Sequence, residues 1–546
     1  MAGDFTYADV YEAIAAVQPD HPAIVQGERI VTWGAFDGHA DALAADFIAA
    51  GLTEQSKVAA YLYNGPEYLE TYYAAFKGGF APFNVNYRYG AEELLYLLDN
   101  ADAEAVVFHA AFAPILDPLR ARLPLVKRYM AVSEPGHPVP DWATDYDRVI
   151  AKSPNDRPVK GPWGRSGDHI LMLYTGGTTG MPKGVMWRQD EVFCALGQGG
   201  NILTGEPPIE AVNEIPARLA DPAHHRPVGM AASPLMHGTG QFGALSSLSL
   251  GGTVSLLPSR KFSAEELWGE VEGHGVTRIG IVGLAFSTPM LDALEANPGR
   301  WSLDHVRFIG SSGSMWSQEN KTGLLKHIPG CVLSDAFSSS EALGMGASQS
   351  GAGSAAQTAR FTLGPNAVVF TEDGRRVVPG SGEQGMVAVG GRLPEGYYKD
   401  PEKTAKTFPT FEGRRWCMPG DWATVNEDGT LNLLGRGSVC INTGGEKVFP
   451  EEVEEALKRH ADVRDAVVVG LPDVRFGERI CAVIELTAGA AEPSLAEIAA
   501  HIKTQLADYK APRSLVVVDT VGRAPNGKVD YKGVKARAMS ALGMPA

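Results

Sequence analysis

Leu173-Tyr174-Thr175-Gly176-Gly177-Thr178-Thr179-Gly180-Met181-Pro182-Lys183-Gly184 packs four glycines, three threonines and one lysine behind an apolar, strand-like lead-in from Ile170 to Tyr174. Glycine lets backbone N–H groups approach oxyanions closely and adopt positive φ. Threonine hydroxyls add donors and Lys183 adds a compact cation. The stretch therefore reads as a polyphosphate-gripping loop at the end of a strand. A plain surface turn needs neither the lysine nor the strand. A Walker loop requires Gly-Lys-Ser/Thr in that order, and here Lys183 precedes Gly184.

Around this loop, helical and strand patterns alternate through the first two thirds of the chain. Ala35 to Ala50, Tyr68 to Phe76 and Ala264 to His274 read as helices. Val58 to Leu62, Ala105 to Phe108 and Ile279 to Val282 read as short buried strands. Such alternation predicts parallel α/β layers. The Pro- and Gly-rich segments Ser153 to Gly167 and Glu206 to Pro227 read as linkers or surface insertions. The pair His224-His225 has no partner carboxylate cluster in sequence and is not read as a metal site.

Further on, Trp422 to Asn426 and Thr430 to Leu434 flank Glu427-Asp428-Gly429, a hairpin signal. Its turn sets Asp421 and Arg436 side by side at the mouth, where they could form an ordinary cross-strand ion pair or grip a ligand. After Arg436, Pro450 to Leu457 opens a helix with acidic residues in its first turn. The strands Ala466 to Val469, Ile480 to Leu486 and Ser514 to Val518 follow, with a helix over Ser494 to Leu506. These roughly 110 residues suffice for a small α+β domain. The expected division is 1–435 and 436–546.

The chain has 546 residues, more than one hydrophobic core normally serves. Hydrophobic content of 44% and charged content of 21% suit a globular enzyme. A net charge of −16 without a Lys/Arg block argues against nucleic-acid binding. Five cysteines without a C-x-x-C pair suit a reducing cytosol and give no metal site. The N-terminus lacks signal-peptide regions, and no apolar run reaches the roughly twenty residues that span a bilayer. Cytoplasmic placement is expected, with room for peripheral membrane contact and a homodimer.

The glycine-threonine loop resembles the phosphate loop of the acyl-adenylate-forming (AMP-binding) superfamily, which includes acyl-CoA synthetases, luciferases and peptide-synthetase adenylation domains. Further matches stand at Ser233-Pro234-Leu235-Met236-His237, Phe337-Ser338-Ser339-Ser340-Glu341, Gly420-Asp421, Gly435-Arg436, Gly444-Gly445-Glu446-Lys447 and Pro525-Asn526-Gly527-Lys528. They follow the family's order. Met186-Trp187-Arg188 and Ile441 to Glu452 look like the bacterial long-chain and steroid-side-chain acyl-CoA synthetases. The resemblance implies a large multi-layer α/β lobe with a small mobile α+β C-terminal domain. It also implies ATP, Mg²⁺ and CoA as cofactor and co-substrates.

Roles follow from the resemblance residue by residue. Thr175, Gly176, Gly177, Thr178, Thr179, Gly180 and Lys183 would grip phosphates. Asp421 and Arg436 would bind ribose. Glu341, with Thr175, would hold Mg²⁺, a hard cation suited to oxygen donors. The family pattern at this last motif is Tyr-Gly-x-Thr-Glu. Here Phe337 keeps an aromatic face for adenine without the hydroxyl, Ser338 replaces glycine, and Ser340 keeps a hydroxyl for phosphate.

On bare sequence Lys528 is a solvated turn lysine. The resemblance makes it the cation that bridges the attacking carboxylate and the α-phosphate. His237 alone reads as a core histidine, and the resemblance puts it at the carboxylate pocket. Gly238 and Gly243, in the segment after it, would line an acyl channel, and Gly310, Ser311, Ser312 and Gly313 would form another wall near the adenylate; the small size of the channel segment predicts a large hydrophobic acid. Gly444 and Gly445 would line a pantetheine tunnel after the small domain rotates about a hinge near Ser438, where the family normally carries Asp or Lys. The implied activity is an ATP-dependent acyl-CoA synthetase. The alternative is an adenylating ligase that loads a carrier protein, but no aspartate for an amino-acid ammonium stands between Ser233 and Gly238 and no carrier-domain serine motif follows.

Overall fold

Apolar runs too short for helices become buried strands here, and helices between them return the chain for the next parallel strand. The computed structural model describes residues 5–152, 158–175, 182–201, 203–314, 316–351, 358–439, 441–443, 446–473, 477–506, 508–524 and 529–544. Among these, strands assemble into a thirteen-stranded, an eight-stranded, a five-stranded and a two-stranded sheet. Ala264–His274 has the expected bounds. Ser263 Oγ accepts from Glu266 N at 3.3 Å, and Gly275, at φ +61°, ends the helix.

The middle of the large sheet is parallel. Val228–Ala231, Arg278–Ile281, Phe308–Ser312 and Val332–Phe337 run side by side, with Gly229 opposite Arg278 and Gly280 opposite Gly310. Ile279, Ile281, Ile309 and Leu333 point one way, into a core with Leu267, Trp268, Met290 and Leu324 from three helices. By strand alternation the other face carries Gly229, Ala231, Gly280, Gly310 and Ser312, side chains too small to fill a core. Beyond Val332–Phe337 the sheet turns antiparallel, takes in the expected hairpin, Asp421–Val425 with Thr430–Arg436, and ends at Ala367–Phe370.

In the eight-stranded sheet, Ile170–Thr175 and Lys183–Arg188 pair antiparallel, with Thr175 opposite Lys183. The loop between them thus leaves and re-enters one sheet edge. The five-stranded sheet is formed by the chain from Ile441 onward. Apolar residues cover both its faces, Val453, Leu457 and Ile498 on one and Val521, Val534 and Ala538 on the other. Its helix Pro450–Lys458 approaches the hairpin so closely that a Cβ on Gly435 (φ +121°) would lie 2.1 Å from Glu451 Oε2.

Two expectations are corrected. Glu206 to Pro227 is no surface insertion, because Ile209, Ile215 and Leu219 are buried in the main core and Ile215–Ala220 is helical. Residues 158–167 likewise pack inward. Trp163 Nε1 donates to Gly78 O at 3.0 Å, and Arg165 pairs with Glu12 and Asp9. In both segments apolar or ion-paired side chains interleave with the Pro and Gly that suggest a loop. Among the described residues no helix is long and apolar enough to cross a membrane, and Cys194, Cys331, Cys417 and Cys481 are free.

Candidate active site

At the C-terminal ends of the parallel strands, where ligands of open α/β sheets bind, lies a cavity of about 1560 Å³. It runs along the glycine-stripped sheet face, over the helix Gly238–Ser249, to the hairpin and the C-terminal domain. Thr175, His237, Gly238, Gly243, Gly310, Ser311, Ser312, Gly313, Phe337, Ser338, Ser340, Glu341 and Asp421 all line it. Residues far apart in sequence therefore share one space. Gly176, Gly177, Thr178, Thr179, Gly180, Gly444, Gly445 and Lys528 lie outside the described residues, as do the side chains of Arg436 and Ser438.

Asp421 opens its strand with its side chain nearly buried and pairs in register with Arg436, as the hairpin geometry requires. Phe337 ends its strand on the cavity wall, its ring centroid 5.5 Å from that of Phe361. Residues 338–345 form no helix. Ser339 N donates to Ala342 O at 2.8 Å, closing a tight turn that presents Glu341. Trp187 Nε1 donates to Ser340 O at 2.9 Å, and Tyr397 Oη donates to Glu341 Oε1 at 2.7 Å. Burial and the neighbouring carboxylate hold the Tyr397 hydroxyl protonated, with its pKa raised well above the usual phenol range. One carboxylate with the hydroxyls of Thr175 and Ser340 on the same wall is a donor set that fits Mg²⁺, which keeps waters and phosphate oxygens as further ligands.

His237 stands before the first turn of Gly238–Ser249. Asn84, whose importance sequence reasoning missed, ties this segment to the phosphate loop. Its Nδ2 donates to Tyr174 O (2.9 Å) and Met236 O (2.7 Å), and its Oδ1 accepts from Tyr174 N at 2.7 Å. A buried Asn ending the strand Ala81–Asn84 is the available signal, but nothing local says what it bridges. Of the wall glycines, Gly243 and Gly280 border open volume. A Cβ on Gly243 meets nothing within 4 Å, and one on Gly280 meets only Met230 O at 3.7 Å. Gly240 differs, since its Cβ would lie 2.6 Å from the carbonyls of Ser233 and Pro234.

Two of the expected site residues make contacts that the sequence does not announce. Ser311 borders the cavity, yet its Oγ accepts from Gly283 N at 2.9 Å and so serves the adjoining helix, because strand alternation turns it away from Gly310 and Ser312. Lys183 pairs with Asp400, not with a cavity wall. Asp400 also accepts from Lys403 N at 2.9 Å as the cap of Pro401–Thr407, and the Lys183 contact, followed by that cap bond, holds its carboxyl below the usual range. Asp335, also at the wall, has its pKa pushed up to about 7, chiefly by burial and against the pull of Lys321.

Removing the Tyr397 hydroxyl leaves Glu341 free to swing. If Glu341 holds Mg²⁺, Tyr397→Phe is expected to raise the Mg²⁺ concentration for half-maximal turnover about tenfold, the usual scale for a residue that orients a metal ligand. A magnesium titration with saturating ATP checks this. An unchanged curve would detach Glu341 from metal binding.

The C-terminal domain supplies Phe449, Glu451, Lys458, Arg523, Val529 and Tyr531 to the same cavity. Arg523 is clamped by both carboxylate oxygens of Asp465, at 2.6 and 2.9 Å.

A family model described as AMP-binding enzyme matches residues 11–398, and one described as AMP-binding enzyme C-terminal domain matches 452–528. The chain is 38% identical over 542 residues to a medium/long-chain-fatty-acid–CoA/3-oxocholest-4-en-26-oate–CoA ligase of Mycolicibacterium smegmatis, covering 97% of this chain and 95% of that one. It is 39% identical over 544 residues to a 3-oxocholest-4-en-26-oate–CoA ligase of Rhodococcus rhodochrous, again covering 97% and 95%. The fold superposes on the crystal structure of an anthranilate CoA ligase with anthranoyl-AMP at a TM-score of 0.84, 19% identity and 100% and 99% coverage.

Proposed function

We propose, on the premise that this chain belongs to the AMP-binding enzyme family, that it joins a large hydrophobic carboxylic acid to CoA at the expense of ATP. The acid is a medium- or long-chain fatty acid or a steroid side-chain acid, the class handled by its relatives. The observation that carries this reading is the cavity of about 1560 Å³. It exceeds the roughly 300–1,000 Å³ of ordinary small-molecule pockets, and past the adenylate residues it opens beside Gly243 and Gly280.

In the first step the acid's carboxylate oxygen attacks the α-phosphorus of ATP. The bond to the β-phosphate oxygen breaks, giving acyl-AMP and pyrophosphate. Asp421 accepts from the ribose hydroxyls, with Arg436 beside it, and Phe337 offers a face to adenine. Thr175, Ser340 and the loop through Lys183 hold the phosphate oxygens, which requires Lys183 to exchange Asp400 for phosphate. Mg²⁺ bound by Glu341 and Thr175 would neutralise phosphate charge. His237 borders the acid's carboxylate, and Lys528 stabilises charge as it develops. In the second step the CoA thiol gives its proton to water, its sulfur attacks the acyl carbon, and the bond from that carbon to the phosphate oxygen breaks to release AMP. Here the C-terminal residues 436–546, pivoting near Ser438, bring Gly444 and Gly445 to the adenylate. The reading places the enzyme in the cytosol.

A panel of acids assayed for pyrophosphate and AMP release, with CoA present or omitted, tests the whole scheme. AMP release that depends on CoA and favours long or ring-bearing acids over acetate is expected. Preference for acetate, or turnover only with an acyl carrier protein, would refute it. Gly243→Leu adds a side chain on the cavity wall whose Cβ meets nothing within 4 Å. It should cut kcat/KM for a long-chain acid at least about tenfold relative to a short one, while raising helix propensity by up to about 1 kcal/mol. Competition assays and a melting curve read both effects.

A further inference from the structure

We propose that Arg278 selects acids that carry a hydrogen-bond-accepting oxygen at the end remote from the carboxylate. This deepens the ligase reading above and rests on it. Arg278 opens the strand Arg278–Ile281 and lines the cavity on the face shared with Gly280. Its register partners are Gly229 and Phe308, at the N-terminal ends of the parallel strands. Ser312, four residues beyond Phe308 along the same strand, lies opposite Ala336 beside Phe337. At about 3.3 Å per residue the two rows are about 13 Å apart. Arg278 is therefore at the end of the cavity away from the adenylate residues.

The guanidinium is half-buried and, among the described residues, pairs with no carboxylate. Nη2 donates to Asn201 Oδ1, its one polar contact among the described residues. Asn201 is 2% exposed and is fixed by an antiparallel bridge to Glu206 and by the Leu203 N–H at 3.1 Å. Its Nδ2 has no partner among the described residues. Burial alone lowers the Arg278 pKa, and no nearby acid offsets it. Proteins rarely leave a desolvated arginine without an anion or several acceptors. With Phe308, Leu196 and Gly229 around it, a plain alkyl end offers Arg278 nothing. A ketone, hydroxyl or distal carboxylate oxygen would take the donors that Asn201 leaves. Sites built to hydrogen-bond a substrate oxygen discriminate strongly against analogues that lack it.

The test compares full-length wild type, Arg278→Met and Arg278→Gln on acids of matched length: a plain alkanoate, its ω-hydroxy, ω-keto and ω-carboxy derivatives, and an acid ending in a keto-bearing ring system. Wild type should favour one or more oxygenated acids at least about tenfold. Arg278→Met should lose about 10- to 100-fold in kcat/KM on those acids and stay within about threefold on the alkanoate. Arg278→Gln, which keeps a donor, should retain part of the preference. Rank among the oxygenated acids tells a neutral acceptor from a carboxylate. Lack of any wild-type preference, or a uniform loss in both variants, overturns the proposal and leaves the arginine as a brace for residues 201–206. Continued CoA-dependent turnover of the alkanoate would show that the ligase reading survives that outcome. If wild type turns over no acid with CoA, both fall. Should Arg278→Met not fold, the wild-type ranking and Arg278→Gln still decide.

Discussion

Lys528→Ala is expected to lower pyrophosphate release about 10²- to 10³-fold, with the ATP dissociation constant changed by no more than about twofold. As the carboxylate closes on the α-phosphorus, negative charge gathers on oxygens that are only partly charged in the ground state. An ammonium held there in a water-poor cleft is worth more in the transition state than in the ground state, and removing one such donor typically costs this much. On the proposed assignment ATP is held by the loop after Thr175 and by Asp421, so its binding should survive. Arg523 and Val529, on either side of the segment 525–528, both line the cavity, which supports the assignment. Single-turnover pyrophosphate release without CoA, paired with calorimetric ATP binding, checks it. Thioester formation from supplied acyl-adenylate should persist. Wild-type pyrophosphate release in the variant would remove Lys528 from the chemistry.

The second large effect is at Asp421. Alanine there should reduce kcat/KM for ATP about 10²-fold or more, since two charge-assisted hydrogen bonds to ribose are lost at about 1.5–3 kcal/mol each. The carboxylate is only 6% exposed, so a fall in stability is the competing cause. Deoxy-ATP separates the two. If Asp421 reads the sugar hydroxyls, wild type loses on 2′- or 3′-deoxy-ATP, whereas Asp421→Ala loses nothing further, because the partners act as one unit. A variant that still discriminates between ATP and its deoxy analogues would place the ribose elsewhere.

Such contacts differ in how far they can be read from sequence. Asp421 and Arg436 are legible because a two-strand hairpin fixes both positions from a local turn signal, and the observed register pairs them. Glu341 is legible from its motif. Tyr397, which steadies it, is not, for it stands 56 residues later on a two-residue strand that pairs with Lys183–Arg188. Asp400 escapes notice for the same reason, since only sheet order brings it to Lys183. Asn84 and Arg278 look like any buried asparagine and any strand-initial arginine until parallel register assigns them neighbours. Ser311 lines the cavity with its small neighbours, but alternation turns its hydroxyl to the adjoining helix, which no local signal announces.

The cavity beside Gly243 and Gly280 is a hydrophobic interior whose centre has been left out. Each missing side chain forfeits dispersion contacts that a packed domain would otherwise enjoy. A fatty tail that settles there supplies the absent volume, so the acid is a folding partner as well as a reactant. At a hundredfold excess over its dissociation constant it would add about 2.7 kcal/mol to the folded state. The standing amount of enzyme in a cell would then rise with its supply of lipid, because molecules caught empty are the ones proteases find open.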